Sequence, residues 1–153
     1  MELVRAKAED AETIRKMQAE AFAELLARYE DYEVSPACES LERVRAKLLQ
    51  PFRYFYYIVQ EENIVGAISV LDRRDGSRKK ISPLFIMPQY RNRGYAQAAM
   101  LEAERLHGAD NWKLDTILQE AGNCYLYEKM GYRRTGKTEK INDKMTLVYY
   151  EKN

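Results

Sequence analysis

The stretch Gly122-Asn123-Cys124-Tyr125-Leu126-Tyr127-Glu128-Lys129-Met130-Gly131-Tyr132 offers acid chemistry. A phenol has a pKa of about 10 and can give its proton to a leaving thiolate, whose thiol has a pKa of about 8.5, so Tyr127 is a sensible general acid. Asn123 and Tyr127 lie four positions apart, which puts them one turn apart on one face of a helix. The competing role for Tyr127 is core packing with its hydroxyl satisfied internally. Cys124 suggests a covalent alternative, an acyl-cysteine, for which the lone His107 is the nearest thing to a base. His107 reads more simply as a cation suited to the end of the helix that stops at Gly108. No His, Cys or carboxylate spacing suggests a metal site.

A second stretch, Pro88-Gln89-Tyr90-Arg91-Asn92-Arg93-Gly94-Tyr95-Ala96, holds the pattern Arg-x-x-Gly-x-Ala. Small residues at 94 and 96 let a backbone approach a ligand closely. A loop that opens into a helix aims unpaired N–H groups one way, and the helix dipole adds partial positive charge. That combination suits a pyrophosphate, with Arg91 and Arg93 as cations at its rim. Taken alone, the stretch is equally a solvated basic turn.

Both stretches need elements to position them. Leu3 to Lys7 alternates as a strand. Ile14, Met17, Ala21, Phe22, Leu25 and Tyr29 recur at helical spacing on one helix face. Ser40 caps a second helix, carrying Leu41, Val44 and Leu48, that Pro51 stops. Tyr54–Gln60 and Ile64–Leu71 form a hairpin about Glu61-Glu62-Asn63, with alternation that half-buries the first of them, and Ile81–Met87 follows as a third strand. A helix with Ala96, Ala99, Met100, Ala103 and Leu106 runs to Gly108, and Trp112–Ile117 is the next strand, parallel to the one before the helix. Gly122 to Met130 is a short helix closed by Gly131, with Tyr132 packing back. Arg133–Glu139 and Met145–Glu151 are the final strands, about the turn Asn142-Asp143. The order β-α-α-β-β-β-α-β-α-β-β is an α/β (α+β mixed) architecture, expected as a single domain over 1–153.

Composition excludes several classes. Twenty-five Lys and Arg nearly cancel 24 Asp and Glu, for a net charge of +1, so no nucleic-acid or anionic-membrane footprint exists across the chain. Apolar runs are short, and Met1-Glu2-Leu3-Val4-Arg5 lacks the features of a signal peptide, so a cytoplasmic protein is expected. Cys38 and Cys124, the two cysteines, are read as reduced structural thiols.

Together the two stretches, joined by one helix and one strand, resemble the GNAT N-acetyltransferase superfamily, and Val4 to Ala11 is similar to that family's opening. Arg91, Gly94 and Ala96 match the three fixed positions of its pyrophosphate loop. Leu126-Tyr127-Glu128-Lys129-Met130-Gly131-Tyr132 resembles its Leu-Tyr-Glu-Lys-x-Gly-Phe/Tyr. The resemblance implies a central mixed sheet of six to seven strands flanked by about four helices. It implies acetyl-CoA as cosubstrate, held by Arg91, Asn92, Arg93, Gly94, Tyr95 and Ala96, with the pantetheine arm along the backbone of Phe85 and Ile86. Tyr127 would protonate the CoA sulfur, and backbone N–H groups near Ile86 would polarise the thioester. Many members carry an asparagine where this chain has Glu120, so Asn123 is a pantetheine contact by position only.

The implied reaction is direct attack by an amine in a ternary complex. An alkylammonium with a pKa of about 10.4 must first lose a proton, for which Glu33, Glu61, Glu62 and Asp115 are candidates. The acceptor is a small-molecule or peptide amine, its pocket expected from residues 22–49 and 54–72. A non-catalytic CoA-binding sensory or interaction module on the same fold is the alternative. Met145–Glu151, read as an exposed final strand, suggests a homodimer.

Overall fold

Runs of β-branched and aromatic residues build the middle of the sheet, β2 (Arg53–Gln60) and β3 (Asn63–Leu71). Glu61 and Glu62, at φ 49° and 70°, make the two-residue turn with both centres left-handed that matches strand twist. The computed structural model covers residues 1–153. Its other strands are β1 (Glu2–Arg5), β4 (Lys79–Ile86), β5 (Trp112–Ile117), β6 (Arg133–Lys140) and β7 (Thr146–Lys152). The helices are α1 (Ala11–Ala21), α2 (Ala23–Tyr29), α3 (Leu41–Leu49), α4 (Tyr95–His107) and α5 (Ala121–Lys129). One seven-stranded sheet runs β1-β2-β3-β4-β5-β7-β6, antiparallel throughout except for the β4–β5 pair. No helix is long and apolar enough to cross a membrane.

The expected element order holds, with one change among the helices. The single helix expected through Tyr29 is broken at Phe22 (φ −101°, ψ 7°) into α1 and α2, giving five helices. The break turns the Phe22 ring edge-on to Phe85, 5.6 Å between centroids. It also leaves the Ala21 carbonyl without a helical partner, and Arg91 donates to it at 2.6 Å.

Helices cover both faces of the sheet. Ile14, Ala21 and Val44 of α1 and α3 pack on Phe55, Tyr57, Ala67 and Phe85, while Ala99, Met100 and Ala103 of α4 pack on Tyr56, Ile58, Ile68 and Trp112. The run from Phe55 to Ile58 is therefore buried on both sides, not half-buried as its alternation suggested, because β2 lies inside a three-layer stack. The strand expected to be an open edge is also interior. β7 pairs with β5 on one side and β6 on the other, so the edge is β6, exposed along its length and carrying Arg133, Arg134, Lys137 and Lys140. Such a charged edge resists pairing with another chain.

His107 is not a charged helix terminus. Its Nδ1 donates to Asp72 Oδ2 at 2.9 Å, and its Nε2 accepts from the Tyr56 hydroxyl at 2.8 Å, a tautomer set by those partners. Burial lowers its pKa, outweighing the opposing pull of Asp72. The unfolded chain therefore takes up this proton first as pH falls, and stability drops below about pH 6.5. Urea unfolding at pH 7.5 and 5.5 is expected to show a loss that His107→Gln reduces.

Two irregularities open the sheet where a ligand can enter. Across β3 and β4, Ile68 pairs with Leu84 but Val70 with Ile81, so β4 carries one extra residue at Ser82-Pro83, a bulge. The bulged Ser82 carbonyl accepts from the buried Arg53 guanidinium at 3.0 Å, which also bonds Ser69 Oγ at 2.9 Å. The parallel β4–β5 ladder then lasts only two pairs, Lys79 with Trp112 and Lys80 with Lys113, and the strands part beyond them. Gly66 seats β3 against β4: a Cβ there would lie 2.1 Å from the Phe85 carbonyl oxygen. Gly66→Ala must push β4 away, at a cost of about 1–3 kcal/mol. A lower urea midpoint is the expected outcome.

Candidate functional site

The loop before α4 is shaped by two left-handed residues, Asn92 (φ 64°) and Gly94 (φ 78°). Gly94 stands at the cap of α4 with no side chain bonding the helix end. The first main-chain bond of the helix is Ala98 N–H to the Gly94 carbonyl, at 3.1 Å, leaving the N–H groups of Tyr95, Ala96 and Gln97 without helical acceptors. This is a ready anion site.

Tyr127 is fixed by the closure of its own helix. The Tyr132 N–H bonds the Tyr127 carbonyl at 3.0 Å and the Gly131 N–H bonds Glu128 at 3.1 Å, with Gly131 at φ 98°. This is the Schellman arrangement, completed by the Tyr132 ring 6.2 Å from that of Tyr127. Tyr127 is half-buried, and its pKa is pushed up to about 12, first by burial and then by the negative charge of Asp115 and by Cys124. It keeps its proton across the working pH range.

Two cavities meet at the parting of β4 and β5. The larger, about 540 Å³, is lined by Leu84, Phe85 and Ile86, by Arg91, Asn92, Gly94, Tyr95, Ala96 and Gln97, and by Arg28 and Glu120 from α2 and the start of α5. The smaller, about 250 Å³, lies among the segment from Phe22 to Pro36, the bulge of β4, Leu114–Ile117 of β5, and Met145 and Leu147. Phe22, Leu25, Leu84, Asn123 and Tyr127 line both. Asn123 and Tyr127 therefore stand where the cavities join.

Within β4, the Met87 N–H bonds the Val65 carbonyl at 2.8 Å, which by alternation turns the main chain of Phe85 toward β3 and that of Ile86 toward the gap. The Phe85 side chain is core, against Phe22. Arg91 lines the larger cavity, yet its guanidinium is engaged internally, bonding the carbonyls of Ile86 at 3.0 Å and Ala21 at 2.6 Å. Arg93 does not line the cavity and lies over the Tyr90 ring. Arg28, which the sequence did not single out, is the cation at the mouth, 2.8 Å from Glu120 Oε2. Glu120 also accepts from the Tyr29 hydroxyl, tying α2 to the start of α5.

Of the four carboxylates weighed as bases, only Asp115 reaches a cavity that holds Tyr127. Glu61 and Glu62 turn a distant hairpin, and Glu33 is exposed. Asp31, which no motif marked, lines the smaller cavity instead. That cavity takes nothing from residues 54–72, and β7 supplies a wall the sequence did not suggest. Cys124 lines neither cavity, with its thiol facing the Ile117 and Leu118 carbonyls, while both ring nitrogens of His107 are occupied elsewhere, so the acyl-cysteine route has no geometry. No group of three His, Cys, Asp or Glu is placed to hold a metal ion.

Comparison with known proteins bears on this arrangement. The sequence model of the acetyltransferase (GNAT) family matches residues 12–132. No curated protein matches the sequence. Among solved structures, the chain is similar to a spermidine N-acetyltransferase from Vibrio cholerae in complex with CoA and spermine, with a TM-score of 0.75 and 14% identity over 97% of this chain and 92% of that one. An acetyltransferase from Thermus thermophilus gives a TM-score of 0.70 at 16% identity, covering 97% and 94%. A PaiA N-acetyltransferase from Thermoplasma acidophilum in complex with coenzyme A gives 0.64 at 18%, covering 99% and 98%. At these identities the likeness concerns the fold.

Proposed function

The chain belongs to the acetyltransferase (GNAT) family, an acetyl-CoA-dependent class of N-acetyltransferases, and on that premise we propose that the larger cavity takes the donor and the smaller one the acceptor amine. The reading treats residues 1–153 as one catalytic domain. The observation that carries it is the position of Asn123 and Tyr127, shared by the two cavities where β4 and β5 part.

The residues present suit the donor. The unpaired N–H groups of Tyr95, Ala96 and Gln97 make an anion site at the start of α4, which suits a pyrophosphate, and nothing lies within 4 Å of a Cβ built at Gly94. Asn92 and Gly94 shape that cradle, and Arg28 supplies a cation at its mouth. Arg91 braces the cradle by joining β4 to the end of α1 rather than meeting the phosphates. The Ile86 N–H, turned toward the gap while the carbonyl is held by Arg91, offers a strand-like bond to an extended arm, with Asn123 opposite; Phe85 serves that edge from the core side.

Bound there, the donor supplies an acetyl thioester. The N–H of Ile86 is the group on β4 suited to polarise its carbonyl. Asp115, directly or through a water, takes the proton that the acceptor ammonium must shed. As the N–C bond forms and the C–S bond breaks, Tyr127 gives its phenolic proton to the departing sulfur, and the second proton that the new amide nitrogen sheds passes through water to restore the phenol. The burial that holds Tyr127 protonated also disfavours a thiolate released beside it, so acid and leaving group stay matched.

The thermal midpoint with and without acetyl-CoA tests this reading first. Ligand at 100 times its Kd stabilises the folded state by about 2.7 kcal/mol. A clear rise, followed by thiol release on addition of amines, is the expected result. No shift at saturating acetyl-CoA would sink it, and binding without turnover on any amine would favour a non-catalytic CoA-binding module.

A further inference from the structure

The smaller cavity has a composition that describes its ligand. Its volume of about 250 Å³ holds roughly eight non-hydrogen atoms at the ~30 Å³ that a water molecule occupies in the liquid. Phe22, Leu25, Leu84, Leu114 and Leu147 make its walls mostly apolar. Two charged residues line it, Asp31 and Asp115, and both are acidic.

The two carboxylates differ in their surroundings. Asp115 is paired with Lys80 at 3.4 Å and acts on Tyr127, which places it at the reacting end. Asp31 is 7% exposed, with Oδ1 enclosed and without a hydrogen-bond partner. Three acidic groups around it have cations: Lys144 for Glu30, Arg28 for Glu120, Lys80 for Asp115. Asp31 has none. Its place is nevertheless fixed, since its own carbonyl takes the N–H groups of Val34 and Ser35, and Asn142 bonds the Tyr29 carbonyl at 2.9 Å. A carboxylate buried without a partner is costly unless a cation meets it.

We propose that the acceptor is a small straight-chain diamine, one nitrogen presented to Asp115 and Tyr127 for acetylation and the other, as an ammonium, held by Asp31. This rests on the reading of the smaller cavity as the acceptor site. The apolar walls suit the methylene chain between the two nitrogens. An alkyl monoamine, or a protein lysine reaching in on a neutral chain, leaves Asp31 buried and unpaired. The transfer is unchanged: one N–C bond forms, one C–S bond breaks, and the second nitrogen keeps its proton.

Calorimetric titration of the CoA-loaded protein with 1,4-diaminobutane and with 1-aminobutane, which share a chain length, decides the matter. The diamine is expected to bind roughly tenfold tighter or better, the gain of one charge-assisted pair. Asp31→Asn, equal in size, is expected to erase that preference while CoA affinity stays that of the unmutated protein. Equal binding of the two amines to the unmutated protein, survival of the preference in Asp31→Asn, or failure of both amines to bind the CoA complex would each overturn the proposal. Should Asp31→Asn not fold, the comparison of amines on the unmutated protein decides alone. Should the unmutated protein bind no CoA, the donor-site reading fails instead, and the same preference is then required of the free protein.

Discussion

Tyr127→Phe is expected to lower kcat by about 10²–10⁴-fold, the range of a positioned general acid, with little change in acetyl-CoA affinity. The phenol oxygen is the only atom removed, and the ring contacts with Tyr132 and Tyr150, at 6.2 and 6.3 Å between centroids, stay. The cavity walls and the Schellman closure of α5, built from main-chain bonds, stay as well. The hydroxyl's pKa, pushed up to about 12 by burial and then by Asp115, also fixes the pH profile. The rate should rise with pH as the acceptor loses its proton, with no descending limb from Tyr127 below about pH 10. Steady-state kinetics from pH 6 to 10, with acetyl-CoA binding measured separately, check both parts. A phenylalanine variant with normal kcat would return Tyr127 to the core role open to it in the sequence.

Gly94→Asp is expected to weaken acetyl-CoA binding by about 100-fold or more, and Gly94→Asn far less. Both side chains tolerate the left-handed φ of 78°, and nothing lies within 4 Å of the Cβ either would add. The pair therefore differs in one charge. A carboxylate about 5 Å from a phosphate charge costs about 3 kcal/mol at an effective dielectric of ~20, roughly 150-fold in Kd. Calorimetry on the two variants, at matched ionic strength, separates charge from shape. Equal loss in both would place the pyrophosphate elsewhere and make the glycine a matter of backbone geometry.

The parts of the site that were legible in the sequence are those whose positions local bonds decide. Gly131 and Tyr132 announce the end of α5, and the bonds that close it join residues at most five apart, so the placement of Tyr127 on its last turn follows from the chain itself. Gly94 and Ala96 announce a helix start open to an anion for the same reason. Pattern also gave the order of strands and helices, and it gave the parallel neighbours on either side of α4.

What the sequence did not announce depends on partners far along the chain. Phe22 breaks its helix where Phe85 and Arg91, more than sixty positions on, meet its end. Arg91 fits a phosphate-loop pattern, yet its bonds run to Ala21 and Ile86 because β4 and α1 end side by side. The last strand reads as an edge until the hairpin with β6 folds outward past it.

Asp31 shows the division most sharply. Nothing in Tyr29-Glu30-Asp31-Tyr32 distinguishes it from any acidic residue after a helix. It becomes a buried, unpaired carboxylate only once the Asn142 turn, the β4 bulge and β5 close around it. The sequence by itself determined the elements, the open start of α4 and the place of Tyr127 at the end of α5, since each is written in hydrogen bonds that span a few residues. Tertiary structure alone decided which face of each element meets a ligand, because burial and charge pairing are set by neighbours that only folding brings together.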